Sequence, residues 1–393
     1  CLFFTPYFYG LCPKSTIGQH GKTNLFLDFN MQTPHYTKIH NRFLLNGYYY
    51  DQTTLKEVAY NFIKEGDQYE HFLGDFLLDW LDQSDSIYLE SSGTTAQPKK
   101  LLFKKQSLVH SAIATGDFFG VSVGDRALHC LPVNFIAGKM MLIRAMILGL
   151  EIDLISPSKT PFHKNEKSYD FVAMTPMQAF HSLSELGRIK KLIIGGAYVS
   201  SALQNALLKA QVNAYETYGM METLSHIAVR TLEDPASEFK CLPNVTVRQD
   251  QRNCLIVDAP KLDVHNLVTN DEVELFSPTH FRLIGRVDHV INSGGVKLHP
   301  EQIERKLSKH LTFHFFIDRI SDPVLGEKVV LVVKDDPEIR LEKLYKQIDK
   351  CTNLTNYETP KAIVCFKEFI QTYSGKIKRA ATMAQKPHRV LDL

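Results

Sequence analysis

Residues 89–100 read LESSGTTAQPKK, and the interpretation of the whole chain depends on what this run is for. Two serines, a glycine and two threonines with Lys99 close behind can be a surface loop, since Ser, Gly and Thr form turns between apolar runs. The same residues can also hold a phosphate chain, because hydroxyls, free backbone N–H groups and a nearby cation suit that anion. Taken alone, the stretch favours the plain loop. The flanking sequence reverses the balance.

On either side, Ser86–Leu89 reads as a strand entering the loop and Leu101–Phe103 as a short strand leaving it. A helix is predicted over Gln106–Phe119, with Ser107 near its cap. Further on, the apolar run Phe171–Met174 is followed by Thr175 and Pro176, an N-cap and first helical residue for a segment reaching about Leu186. Next come the strand Leu192–Ile194, the turn Gly195–Gly196, a helix over Ser201–Ala210 and a strand around Ala214–Thr217. Strands alternating with helices of this length imply parallel β/α construction, in which ligands bind at the carboxyl ends of strands. SSGTT, GGA and TYG all follow strands, so the reading places them on one rim. After residue 230 the grammar changes to shorter strands, and from about residue 289 an α+β unit of roughly 100 residues reads as a small domain.

The chain has 393 residues, 44% apolar and 22% charged, as in ordinary soluble globular proteins. A net charge of +2 gives no reason to expect a nucleic-acid partner, and no stretch approaches the ~20 apolar residues of a membrane span. Seven scattered cysteines without a C-x-x-C pair argue for reduced thiols in the cytoplasm and against structural zinc. The opening residues 1–30 are aromatic, lack a starting Met and lack the basic flank of a signal peptide. They read as an extension upstream of a natural start near Met31.

Four segments require a joint explanation: LESSGTTAQPKK (89–100), YGMMET (218–223), GRVDHVINSGGVKLHPEQIE (285–304) and TYSGKIKR (372–379). Their order and spacing resemble the ANL superfamily of adenylate-forming enzymes: acyl-CoA synthetases, peptide-synthetase adenylation domains and luciferases. KLIIGGA (191–197) and PKAIVCFKEF (360–369) fit between them. The resemblance implies an α/β fold with a large N-terminal AMP-binding domain of layered β/α sheets (31–287) and a small mobile α+β C-terminal lid (288–393). The stretch before the phosphate loop is shorter than the family norm, which implies a shortened N-terminal subdomain.

The activity implied is ATP-dependent joining of a carboxylic acid to a thiol through an acyl-adenylate. Two anionic groups must meet in the first step, so charge neutralisation and positioning dominate. By resemblance, Ser91, Ser92, Gly93, Thr94, Thr95 and Lys99 wrap the β- and γ-phosphates. This is no Walker loop, since Pro98 stands five after Gly93 and no Gly-Lys-Ser/Thr follows. Ala96 replaces a usual glycine. Gly195, Gly196, Ala197, Tyr218 and Gly219 belong to the nucleotide site, with Tyr218 stacking on adenine. Glu222 holds Mg²⁺, which takes one carboxylate plus phosphate oxygens. Met221 replaces the family threonine. Asp271 accepts the ribose hydroxyls, although Asn270 replaces a usual glycine, and Arg286 adds a second contact; an exposed turn Asp and a solvated Arg are the plain alternatives. Asp288 is the hinge, Gly294 and Gly295 line the CoA channel, and Lys376 bridges the carboxylate and α-phosphate.

The acid pocket falls partly in LPVNFIAGKMMLIRAMILGL (131–150). It contains no Asp or Glu to pair with an amino acid's amino group. Phe135 stands where a histidine is common. Lys139 and Arg144 suit a substrate with a second carboxylate; the alternative is that both face solvent on a helix, and for Arg144 that alternative is the better one. KLIIGGAYVSSAL and YGMMETLSHIAVR resemble the o-succinylbenzoate–CoA ligases of menaquinone biosynthesis. The implied partners are a small carboxylic acid, ATP and CoA, compatible with a homo-oligomer. Another aryl- or alkyl-acid–CoA ligase, or a stand-alone domain loading a carrier protein, is the runner-up.

Overall fold

Alternation along single strands decides the layering. In the strand Tyr169–Met174, Phe171 and Ala173 belong to one buried cluster and Val172 and Met174 to another. A two-residue period with both faces apolar requires a sheet covered on both sides. The computed structural model describes residues 33–90, 100–162, 166–234, 237–311, 313–336, 340–372 and 377–393. Ser91, Ser92, Gly93, Thr94, Thr95, Lys99 and Lys376, and the extension 1–30, lie outside the described residues.

The covered sheet has 13 strands. Parallel pairing runs from Leu44–Leu45 through Glu151–Leu154, Arg126–His129, Tyr169–Met174 and Ile189–Ile194 to Ala214–Met220. From there to the far edge the neighbours are antiparallel: Ser225–Thr231, Phe239–Cys241, His280–Arg286, Val264–Ser277, Cys254–Ala259 and Thr246–Gln249. Helices Gln52–Glu65, Gln68–Leu81, Lys105–Phe119 and Ile136–Leu148 pack on one face through Leu55, Trp80, Leu108 and Met140. Pro176–His181 and Ser201–Lys209 cover the other through Ala179, Leu203 and Leu207.

Local chemistry sets the boundaries. Thr175 caps the helix at Pro176: its hydroxyl accepts from the Gln178 N–H, and Gln178 Oε1 accepts from the Thr175 N–H in return. That helix ends at His181 and is followed by a 3₁₀ turn, Leu186–Arg188, so it is shorter than its apolar pattern suggests. Ser107 is not a cap. The helix begins at Lys105, whose N–H bonds the Asp85 carbonyl at 2.8 Å, and Ser107 is buried within its first turn.

A second, six-stranded sheet starts at Ile291, after the 3₁₀ turn Val287–His289. Its central strand Gly326–Lys334 again alternates. Val329, Leu331 and Val333 lie under helices Pro300–Leu307 and Leu341–Asp349, while Val330 and Val332 meet Phe316 and Phe369 on the other face. Residues 34–393 pack as one compact unit. The seam between the sheets is polar: His299 lies 3.4 Å from Glu272, and Ser308 Oγ lies 2.9 Å from Ser201 Oγ.

One sequence expectation changes. Ser86–Glu90 does not join the large sheet. It folds back antiparallel on Lys100–Lys104 as a separate two-stranded sheet. Tyr218 and Gly219 also lie inside the strand Ala214–Met220 instead of beyond it. Of the three segments assigned to one rim, only Gly195-Gly196-Ala197 follows directly on a strand of the parallel sheet.

Candidate functional site

The end of the strand Ala214–Met220 gathers most of the described candidates. Gly219 lies opposite His226 on the antiparallel neighbour. A Cβ at Gly219 would stand 2.2 Å from the Ser225 carbonyl oxygen and 2.5 Å from the His226 Cα. Both obstacles are backbone, so only glycine permits this approach. The chain then turns through Met221–Thr223, where the Met220 N–H donates to Thr223 Oγ1 at 3.0 Å. This tight turn buries Met221 and Thr223 and leaves Glu222 exposed between them. A lone exposed carboxylate at the strand end fits a cation whose other ligands are phosphate oxygens and water.

Tyr218 and Asp271, 53 residues apart, meet across the sheet. The Tyr218 hydroxyl donates to Asp271 Oδ2 at 2.6 Å, and both residues are buried. The Tyr218 ring packs edge-on against Phe281 at 5.3 Å, and Phe281 stacks on Phe239 at 5.5 Å. Burial first, and then the Asp271 charge, push the Tyr218 phenol well above its ordinary value. Asp271 sits within the long strand Val264–Ser277, directly opposite Arg286, so it is not an exposed turn residue. Arg286 Nη1 donates to Asp271 at 3.2 Å, while Nε and Nη2 each donate to Asp288 at 2.9 Å. The Asp288 hydrogen bond raises the Arg286 guanidinium. Burial pushes the Asp288 carboxyl up, yet the hydrogen bonds and charge of Arg286 outweigh it and leave it below its usual range. Arg286 thus ties the turn that begins the second sheet to the buried Tyr218–Asp271 pair.

Gly196 and Ala197 are exposed just after the strand Ile189–Ile194. Their loop is anchored at Val199, whose N–H donates to Glu216 Oε1 at 3.2 Å; Glu216 in turn accepts from Arg230 Nε at 2.6 Å. Gly294 and Gly295, both at positive φ, form the two-residue turn between Ile291–Ser293 and Val296–Leu298. A turn of this kind calls for glycine whatever lies beside it.

The segment 131–150 separates its two cations. Phe135 is half-buried and precedes the helix Ile136–Leu148. Lys139 lies over the Phe76 ring at 5.3 Å; burial lowers its amine, opposed by the charges of Asp79, Glu90 and Asp75. Arg144 does not face solvent. It is 2% exposed, because the helix is apolar all round and offers no polar face to carry it. Its Nη2 donates to Ser225 Oγ at 3.0 Å and lies 3.4 Å from His226 Nδ1, and its Nη1 lies 3.7 Å from Met141 Sδ. Its buried Nε–H has no partner, and among the described residues no carboxylate pairs with it. Burial lowers the guanidinium to about 9, which still leaves it charged at neutral pH.

Ser225 and His226 were not among the candidates read from the sequence. The signal that could have found them is their position, immediately beyond YGMMET, where the chain re-enters the sheet against Gly219. Among the described residues no group of three or more His, Cys, Asp or Glu side chains is placed to hold a metal, and no helix is long and apolar enough to cross a membrane. The five described cysteines are buried and unpaired.

Comparison with known proteins adds to this geometry. A sequence model of the AMP-binding enzymes matches residues 79–261. A solved acyl-CoA synthetase (AMP-forming)/AMP-acid ligase II-like protein from Dyadobacter fermentans is 32% identical, with a TM-score of 0.55 over 84% of this chain and 97% of its own. The 2-succinylbenzoate–CoA ligase of Enterococcus faecalis is 24% identical over 77% of this chain and 70% of its own. The o-succinylbenzoate CoA synthetase of Bacillus subtilis, solved with its acyl-adenylate intermediate, is 19% identical and shares the fold, with a TM-score of 0.67 over 77% and 69%.

Proposed function

We propose, from the premise that this chain belongs to the ANL superfamily of adenylate-forming enzymes, that it is an ATP-dependent, AMP-forming acid–CoA ligase whose acid is o-succinylbenzoate. The acid's carboxylate attacks the α-phosphorus of ATP and pyrophosphate leaves. The CoA thiol then attacks the acyl carbon and AMP leaves.

In this reading Ser91, Ser92, Gly93, Thr94, Thr95 and Lys99 cradle the β- and γ-phosphates. Gly195, Gly196, Ala197, Tyr218 and Gly219 border the adenine. Asp271, fixed by Tyr218 and Arg286, accepts from the ribose hydroxyls. Exposed Glu222 is the carboxylate that would hold magnesium, which when bound neutralises phosphate charge. Lys376 supplies a point charge to the carboxylate and α-phosphate as charge builds between them. Residues 31–287 act as the AMP-binding domain and 288–393 as the lid, with Asp288 as hinge and Gly294 and Gly295 beside the CoA arm.

The observation that carries the choice of acid is Arg144. Lys139 already lies among Asp75, Asp79 and Glu90, whereas Arg144 is a buried charge with an unpartnered Nε–H and no carboxylate beside it. A buried guanidinium fork of this kind is satisfied by a substrate carboxylate in bidentate contact. An acid with one carboxylate to activate and another to anchor meets that requirement.

The test is AMP release from ATP, Mg²⁺ and CoA across o-succinylbenzoate, benzoate, medium-chain fatty acids and amino acids, with Lys376→Ala as control. A CoA-dependent signal specific to o-succinylbenzoate, lost in the control, is expected. Preference for a simple monoacid would keep the adenylation chemistry and remove the substrate assignment. Activity with a carrier-protein thiol alone would replace CoA.

A further inference from the structure

We propose that His226 is a specificity-determining residue of the acid subsite: with Arg144 and Ser225 it receives a second carboxylate of the substrate, and it takes up one proton from solvent as that carboxylate enters. This deepens the functional reading above and rests on it.

Three elements meet at this point. Arg144 comes from the helix Ile136–Leu148, Ser225 and His226 open the strand Ser225–Thr231, and Thr115 comes from the helix Lys105–Phe119. The Thr115 hydroxyl donates to the Ser111 carbonyl at 3.0 Å, so towards His226 Nε2, 3.4 Å away, it can only accept. The hydrogen-bond network therefore assigns the ring proton to Nε2 and turns the Nδ1 lone pair towards Arg144 Nη2 at 3.4 Å. A ring in this state shows an acceptor to the same space that Arg144 fills with donors.

The surroundings fix that state. His226 is buried, and the Phe119 ring stands edge-on to it at 6.5 Å. Across the strand pair it faces Gly219, which has no side chain. The helix Lys105–Phe119 presents Thr115 to it, and its own strand presents Ser225. Among the described residues Arg144 is the one charged group acting on it. Burial first, then the Arg144 charge, hold the imidazole well below its ordinary value. An entering carboxylate offsets the Arg144 charge and places a negative charge beside the buried ring. It favours the protonated ring, whose Nδ1–H then donates to the anion, and it releases the Arg144 N–H that faced Nδ1 to pair beside Nε–H. The receptor becomes three donors around one anion, Nδ1–H from His226 and Nη2–H and Nε–H from Arg144.

Such a site discriminates on charge. An acid without the second carboxylate gains nothing from Arg144 and takes up no proton. A diacid gains charge-assisted hydrogen bonds, and its binding weakens as pH rises, because the proton becomes harder to take up, by at most about tenfold per pH unit.

The experiment compares o-succinylbenzoate with benzoylpropionate, which lacks the ring carboxylate, on the full chain between about pH 6 and 9. The readout is kcat and KM for the acid, using wild type, His226→Gln and His226→Ala. For wild type, the ratio of kcat/KM for diacid over monoacid should fall with rising pH. In His226→Gln the diacid KM should rise by about 10–100-fold with kcat largely kept, the pH slope should vanish, and the monoacid should lose far less, so that the preference for the diacid collapses. Monoacid turnover and the melting temperature report that the variants fold. Equal losses on both acids, or a variant that keeps the selectivity and its pH slope, would overturn the role of His226 and leave the substrate reading standing. A wild type that turns over the monoacid but no diacid would overturn the substrate reading, and this inference with it.

Discussion

Gly219→Ala is the most demanding test of how the site is built. The added methyl carbon would lie 2.2 Å from the Ser225 carbonyl oxygen, 2.5 Å from the His226 Cα and 2.7 Å from the Ser225 carbonyl carbon. A carbon–oxygen contact of ordinary length needs roughly 1 Å more, and backbone cannot rotate away as a side-chain end can. The strand Ala214–Met220 and its antiparallel neighbour must therefore separate at the Gly219–His226 pair. Overpacking of this kind costs about 1–3 kcal/mol, and one or two weakened ladder hydrogen bonds add about 1 kcal/mol each. The total, about 2–5 kcal/mol, is a large part of the ~5–15 kcal/mol that holds a typical domain folded. Activity should fall further than stability. The displaced segment carries Tyr218 on one side and Glu222, Ser225 and His226 on the other. Urea unfolding, with acid-dependent AMP release on the fraction still folded, separates the two effects. A Gly219→Ala protein with the wild-type urea midpoint and turnover would refute the close approach and the site built around it.

Tyr218→Phe keeps the ring on Phe281 and Phe239 but removes the donor to the buried Asp271 carboxylate; a loss of about 1.5–3 kcal/mol in urea unfolding is expected, and a loss under 0.5 kcal/mol would show the pair to be idle. Glu304 accepts from the Ile317 N–H at 2.7 Å and from Arg379 at 2.9 Å, and burial, opposed by Arg379, raises its carboxyl to about 7. Because the folded value lies above the unfolded one, its contribution to stability is complete below about 4.5 and is lost as pH rises through about 7, by at most about 3 kcal/mol. Unfolding curves across that window should show the slope in wild type and not in Glu304→Gln; parallel curves would overturn the assignment.

Much of the architecture is legible along the chain because it follows local rules. Thr175–Pro176 announces a helix start through capping chemistry, the apolar runs Phe171–Met174 and Leu192–Ile194 announce buried strands, and YGMMET marks a strand end followed by a turn. The four segments in order carried the family resemblance by themselves. Distances between remote residues are not written that way. Nothing within VTNDEVEL says that Asp271 accepts from a tyrosine 53 residues earlier; only the pairing of Val264–Ser277 with His280–Arg286, and its place in the sheet, brings them to 2.6 Å. The pairing of Ser86–Glu90 with Lys100–Lys104 apart from the large sheet was not legible either, because both strands have ordinary strand composition, and composition does not select a pairing partner.

Arg144 shows the division most sharply. The sequence alone determined that a cation sits in a helix without acidic residues. For Arg144 a solvated helix face was the better account along the chain, and the structure overturns it by burying the side chain. Whether that charge met a carboxylate was decided only by the tertiary structure, because burial and partnership depend on which elements close around a side chain. The helix Lys105–Phe119 and the strand Ser225–Thr231 close around Arg144 with hydroxyls and a neutral imidazole. They leave a buried guanidinium whose electrostatic need no described residue of the protein meets.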